Sequence, residues 1–293
     1  MKQILPTATT YDASNNDRLS VSAWAGMFGE FWEYRELTWR LMSRNFSAQF
    51  RQSFLGYLWV ILPPVATTIV FALLRQAQIV NVAMPAGAMP YLLFALIGTT
   101  VWSFFTQLTL MATGSIAGAG SLVSKVYFPR EVLVVSAAGS AVINFVIRLV
   151  VVGLTLLLLR YTPHWQAVLA PLILVPMAAL AIGLGLFFAP INTMVSDMGR
   201  LLEFAFQFGL FLAPTVYPTP PLATLSGRWE SLLFWLHSLN PVSHFLYAMQ
   251  SLIETGTFAV TRGLAVSTVL SCLVLALGWR FFHICEPLLA ERL

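Results

Sequence analysis

Four polar residues, Ser136, Ser140, Asn144 and Arg148, recur every fourth position within an otherwise apolar run. On a helix that step puts them on one stripe. A guanidinium inside a membrane span costs roughly 2.5–3.5 kcal/mol on insertion scales unless water or partners meet it. The stripe is therefore expected to face protein or an aqueous path, with Asn144 and Arg148 as candidates for contact with a polar solute. The competing expectation is that Arg148 snorkels to a membrane interface. A second stripe carries Phe204, Phe208 and Phe211, and Trp102 and Phe105 stand one turn apart. Flat rings stack on sugar faces, which would make a sequence-tolerant channel lining; for Phe204, Phe208 and Phe211 packing or lipid-facing roles serve equally well, and for Trp102 and Phe105 those roles are favoured.

Other chemistry is missing. There is no G-x-x-x-x-G-K-[ST] run and no Gly-Lys pair at all, so the chain has no phosphate-cradling loop of its own. His164, His237, His244 and His283 are scattered without H-E-x-x-H or Cys/His ligand spacing, so no metal site is expected. Cys272 and Cys285 read as packing residues. Ser140 follows Gly139 without a partner base in the span. Glu203, near the end of a run, is the one acid approaching a span interior, and ion-coupled carriers usually display more. The expectation is a chain without catalytic residues and without a cofactor, whose work is driven from elsewhere.

The elements that must position these groups follow from composition. Hydrophobic residues make up 58% of the 293 and charged residues 10%, against about 25% charged in soluble domains. The fold class is all-α and integral to a membrane. Five runs reach the roughly 20 residues a span needs: Phe54–Leu74, Pro90–Ala112, Val132–Leu159, Ala167–Pro190 and Gly263–Ile284. Leu201–Tyr217 is expected as a sixth. Two shorter apolar pieces, Leu232–Leu239 and Val242–Ile253, read as a re-entrant helical hairpin broken at Asn240-Pro241. The expected layout is a polar N-terminal tail (1–22), an amphipathic interface helix (23–52), a six-span transmembrane domain (53–285) and a C-terminal tail (286–293). Within the domain lie a loop at 113–131 and an outer re-entrant hairpin at 218–256. In the interface helix, Trp32 and Trp39 sit at headgroup depth, while Arg40 and Arg44 belong to a charged face on which Glu36 and Arg40 pair at i,i+4.

Orientation follows from Lys and Arg. With a cytoplasmic start and six crossings, eleven of the 16 cations fall inside, among them Lys125, Arg130, Arg200 and Arg280. Four fall outside (Arg75, Arg160, Arg228, Arg262), and Arg148 lies in a span. Five crossings would leave Arg280 and Arg292 outside. Both termini are expected in the cytoplasm.

Three segments carry a family resemblance: Arg51-Gln-Ser-Phe-Leu-Gly-Tyr-Leu-Trp59 with Pro63-Pro64; Leu122-Val-Ser-Lys-Val-Tyr-Phe-Pro-Arg-Glu131; and Pro214-Thr-Val-Tyr-Pro218 with Leu239-Asn-Pro241. With the six-span plan they resemble the polysaccharide-export branch of the type-2 ABC permeases, over about residues 30 to 285 of the chain. The family moves O-antigen, capsule and teichoic-acid chains across the bacterial inner membrane. Two departures stand out: Ser196-Asp197 where Arg-Asp is common, and Gln250 near a frequent Arg. The resemblance implies a homodimer working with two copies of a separate ATP-binding cassette subunit, which would hold ATP and Mg. It also implies a lipid-linked glycan passing between the two copies, with no nucleic acid involved. Leu122, Lys125, Tyr127, Phe128 and Arg130 would form the helix that couples to the ATPase. A drug or lipid exporter of the same fold is the alternative. An ion-coupled carrier and a membrane-embedded enzyme are the readings from other classes.

Overall fold

Backbone groups in hydrocarbon find no water and must be satisfied by the protein itself, which leaves long apolar runs only the helix or the closed barrel. The computed structural model describes residues 29, 32–51, 53–80, 89–119, 128–218, 227–258 and 260–292, and no strand occurs among them. The helices are α1 (Arg35–Gln49), α2 (Leu58–Gln76), α3 (Tyr91–Gly114), α4 (Glu131–Leu158), α5 (Ala170–Met194), α6 (Asp197–Gly209), α7 (Arg228–Leu239), α8 (Pro241–Glu254) and α9 (Arg262–Arg292). A 3₁₀ turn, Trp165–Leu169, leads into α5, and another, Leu210–Leu212, ends α6. Among the described residues, five helical stretches are long and apolar enough to cross a membrane: Leu58–Gln76, Tyr91–Gly114, Glu131–Leu158, Trp165–Met194 and Arg262–Glu286. They fall on the five strong runs of the sequence. Helix α9 continues to Arg292, through the stretch expected as a tail.

The bundle is built around α3, which is buried along most of its length and packs against α2, α4 and α5. The most extensive pairing is α5 with α9. It is a backbone-to-backbone contact of the kind small residues permit between membrane helices. A Cβ on Gly278 would run into the Gly183 carbonyl, and one on Gly183 would meet the main chain of Val274 and Leu275. Gly278→Ala is therefore expected to destabilise the chain by about 1–3 kcal/mol, the usual range for overpacking. Gly153→Ala, where an added Cβ meets nothing within 4 Å, is expected to be neutral or mildly stabilising. Thermal unfolding in detergent compares the two, and equal midpoints would contradict the close approach.

The stretch expected as a sixth continuous span is broken. It is a 13-residue helix, a 3₁₀ turn and a folded segment through Tyr217. The physical reason is Pro214, which has no N–H to offer the Leu210 carbonyl. That carbonyl instead accepts from the Thr215 hydroxyl at 2.7 Å. The stretch nonetheless climbs beside α3 in the opposite direction. Asn192, at the end of α5, donates to the Thr113 carbonyl (3.5 Å) and accepts from the Gly199 N–H (2.8 Å). Farther along, the Trp102 indole donates to the Phe206 carbonyl (3.3 Å), the Thr215 carbonyl lies against Gly98, and the Tyr91 hydroxyl donates to the Val216 carbonyl (2.9 Å). Gly199 to Val216 thus covers the depth of an α3 about 36 Å long, at 1.5 Å per residue.

Candidate functional site

The Pro63-Pro64 pair sits inside α2. Pro64 cannot donate to the carbonyl of Val60, four residues back. Arg148 fills the gap: its Nε donates to the Val60 carbonyl at 2.8 Å. Two features read separately from the sequence, the double proline and the in-span arginine, are thus one interaction joining α2 to α4. Arg148 is 2% exposed, so it lies inside the protein and does not snorkel. Ser136, Ser140 and Asn144 are buried along the same face. Asn144 Nδ2 donates to Gln49 Oε1 at 3.4 Å, so α1 reaches the stripe as well. Asn144 Oδ1 and Arg148 Nη1 are buried without a hydrogen-bond partner among the described residues. Beside the stripe opens a cleft of about 340 Å³, lined by Arg44, Asn45, Gln49, Ser115 and Ser140 together with Met111, Leu133 and small residues. Ser140 opens onto this cleft, and Gln49, the hydrogen-bond partner of Asn144, lines it.

Helix α1 is fixed by its apolar side. Leu41, Phe128, Val132 and Leu133 form a small buried cluster that Tyr34 and Leu37 extend. Trp32, Trp39, Arg40 and Arg44 stay exposed, with Arg40 on Glu36 at 2.7 Å. The turn into α2 uses the Leu55-Gly56 step. Gly56 has φ +50°, the left-handed region glycine enters freely, and its N–H donates to Ser53 Oγ at 3.1 Å.

Of the residues expected to couple to an ATPase, Leu122, Lys125 and Tyr127 lie outside the described residues. Phe128 is turned inward, 6% exposed, so its ring anchors the loop on α1 and α4. Arg130 reaches α9, donating from Nη1 to the Glu286 carbonyl (2.8 Å) and from its main-chain N–H to Glu286 Oε1 (3.4 Å). The end of this loop is therefore clamped to three helices.

The aromatic candidates divide. Trp102 and Phe105 are buried and meet Phe206 edge-on, at centroid distances of 6.5 and 5.6 Å. They belong to the protomer's own core, in the packing role favoured for them over a channel lining. Their one-turn spacing fits either role, and Phe206 decides it. Phe204, Phe208 and Phe211 remain exposed, at 62%, 52% and 43%. The Pro214–Pro218 segment is held from two sides: Gln250 Nε2 donates to the Pro214 carbonyl at 3.1 Å and Tyr91 holds Val216. Asn240 caps α8, its Oδ1 accepting from the Val242 N–H at 3.0 Å with Pro241 at the first helical position.

Comparison with known proteins follows the same boundaries. The ABC-2 type transporter family matches residues 36–253, from the charged face of α1 to the end of α8. An O-antigen export system permease protein, RfbA, of Myxococcus xanthus is 27% identical over 223 residues, covering 76% of this chain and 82% of its own. A protein of the same name from Klebsiella pneumoniae is 21% identical over 222 residues, covering 74% and 80%. The matched residues contain the whole of the polar stripe, the loop before α4 and the Pro214–Asn240 region. This chain belongs to the ABC-2 type transporter family.

Proposed function

We propose that this chain is the membrane permease subunit of an ATP-driven exporter that carries a lipid-linked polysaccharide, such as O-antigen, across the bacterial cytoplasmic membrane. The observation that carries the reading is kinship with O-antigen export permeases over three quarters of the chain. Its three motif segments also have structural tasks: the Gly56 turn, the Arg130 clamp and the Asn240 cap. Two copies of the chain form the path, and two copies of a separate ATP-binding cassette subunit hold ATP and Mg and drive it. The exposed Phe204–Phe208–Phe211 face supports a second copy or the glycan as its cover. The alternative, a drug or lipid exporter of the same fold, accounts less well for that kinship.

Energy enters at residues 122–131. Phe128 fixes this segment on α1 and α4, and Arg130 fixes it on α9, so a displacement there moves helices as bodies. Arg148 passes the movement of α4 to α2 through the Val60 carbonyl. The polar stripe offers the first sugars hydrogen-bonding groups as the path opens.

The topology has six crossings, the sixth being the broken 197–217 stretch, whose antiparallel climb beside α3 supports it. Both termini are cytoplasmic, α1 lies at the inner interface, and the 218–256 hairpin is on the outer side. Cysteine-accessibility labelling tests it, in a background lacking Cys272 and Cys285. Ser226→Cys is expected to react with an impermeant reagent in intact spheroplasts. Reaction only after lysis would overturn the six-crossing topology.

A further inference from the structure

Glu131, His283 and Glu286 meet at the end of the bundle where α3 finishes and α4 begins. Glu131 is the first residue of α4, and His283 and Glu286 share one face of α9 at i,i+3. His283 Nδ1 is 3.3 Å from Glu131 Oε1 and 3.8 Å from Glu286 Oε2. One ligand atom from each of the three residues lies within 4.8 Å of the other two. Two carboxylates so placed, at 9% and 19% side-chain exposure, are relieved by a proton or by a compensating cation. The nearby Arg130 gives its guanidinium hydrogen bond to the Glu286 main-chain carbonyl, not to either carboxylate. The Glu131 side chain is 9% exposed, and its Oε2 is buried with no hydrogen-bond partner among the described residues.

We propose that these three residues form a binding site for a divalent transition metal of the zinc class. The donor set is one imidazole nitrogen and two carboxylates, a mixture zinc accepts with bonds of about 2.0–2.2 Å. Ligand atoms on a tetrahedron of that size stand about 3.4 Å apart, close to the 3.3 and 3.8 Å separations already present. The third edge, between the two carboxylates, lies within 4.8 Å, so the carboxylates would approach each other by up to about 1.4 Å to close the site around an ion, leaving a fourth position for water. Glu131 Oε2 provides a second carboxylate oxygen for the metal or that water. The His–x–x–Glu step on α9 supplies two ligands from one rigid helix, and α4 supplies the third. Binding requires neutral imidazole and ionised carboxylates, so it releases whatever protons they hold and weakens as pH falls. An occupied site would staple the start of α4 to the end of α9, one residue beyond Arg130.

The full chain in nanodiscs, stripped with chelator and returned to buffer, tests this by cobalt(II) absorption and by metal content after equilibration with zinc. Expected are one ion per chain, four-coordinate cobalt bands that zinc abolishes, and a raised midpoint of thermal unfolding. Glu131→Gln and His283→Gln are each expected to weaken binding by about tenfold or more. His244→Gln, on α8, should leave it unchanged. A sulfur-to-cobalt charge-transfer band would overturn the ligand set by placing Cys285 in it. Absence of stoichiometric binding by the folded wild-type chain would overturn the site, leaving a histidine held between two carboxylates. The readout on the unmodified chain is independent of how the variants fold and of what the chain exports.

Discussion

Export is expected to fall at least about tenfold when Arg148 becomes leucine, while Val151→Leu exports normally. The argument weighs two opposed terms. Removing the guanidinium spares a span the roughly 2.5–3.5 kcal/mol of placing it in hydrocarbon, which eases insertion. The folded chain then loses the bond to the Val60 carbonyl, and Pro64 leaves that acceptor with no intrahelical donor. An orphaned buried acceptor costs about 1–3 kcal/mol, and 1.4 kcal/mol is already a factor of ten. The first term acts before the helices assemble, and the second acts on α2 against α4, where the proposed movement passes. Arg148→Leu should therefore insert at normal abundance but assemble or export poorly. Arg148→Lys, which retains one donor, should recover part of the loss. Surface-glycan immunoblots normalised to permease abundance measure it, and wild-type export by Arg148→Leu would remove the α2–α4 bond from the mechanism.

The second large effect is expected at Tyr127 and Phe128. Changing both to alanine should leave the chain in the membrane yet abolish export, with ATPase co-purification weakened or ATP hydrolysis uncoupled from transport. Phe128 shares its cluster with Leu41, Val132 and Leu133, and deleting a buried phenyl ring costs about 3–5 kcal/mol. That is enough to free the loop from α1 and α4. Phe128→Leu keeps the site apolar and filled, and should retain most export. Normal glycan export by the double-alanine chain would take the 122–131 segment out of the coupling path.

The apolar runs made five helices legible because length and hydropathy suffice to define a membrane span. The sixth was legible as an apolar stretch but not in its break, since the sequence shows Pro214 and not the Thr215 hydroxyl that stabilises the turn there. The polar stripe was visible from its four-residue step. Its partner was not, because Val60 and Arg148 are 88 positions apart; the hint was a double proline that had to leave carbonyls unbonded. The one-turn spacing of Trp102 and Phe105 could not show Phe206, 104 positions from Trp102, because periodicity names a face, not what covers it. Phe128 reads as a knob for a partner until Leu41 arrives from α1. The cluster of Glu131, His283 and Glu286 escaped a search for local ligand spacing: His283 and Glu286 are neighbours on α9, but Glu131 is 152 positions from His283.

The central claim is that this chain exports a lipid-linked polysaccharide only when a separate ATPase subunit drives it. The most direct measurement is surface polysaccharide in cells deleted for this chain and complemented with it, beside the ATPase in intact form or with its phosphate-loop lysine replaced. The account predicts that deletion removes surface glycan and that lipid-linked glycan accumulates inside. The chain with the intact ATPase restores export, and the chain with the disabled ATPase does not. Normal surface glycan in the deletion strain, or export sustained with the disabled ATPase, would contradict it.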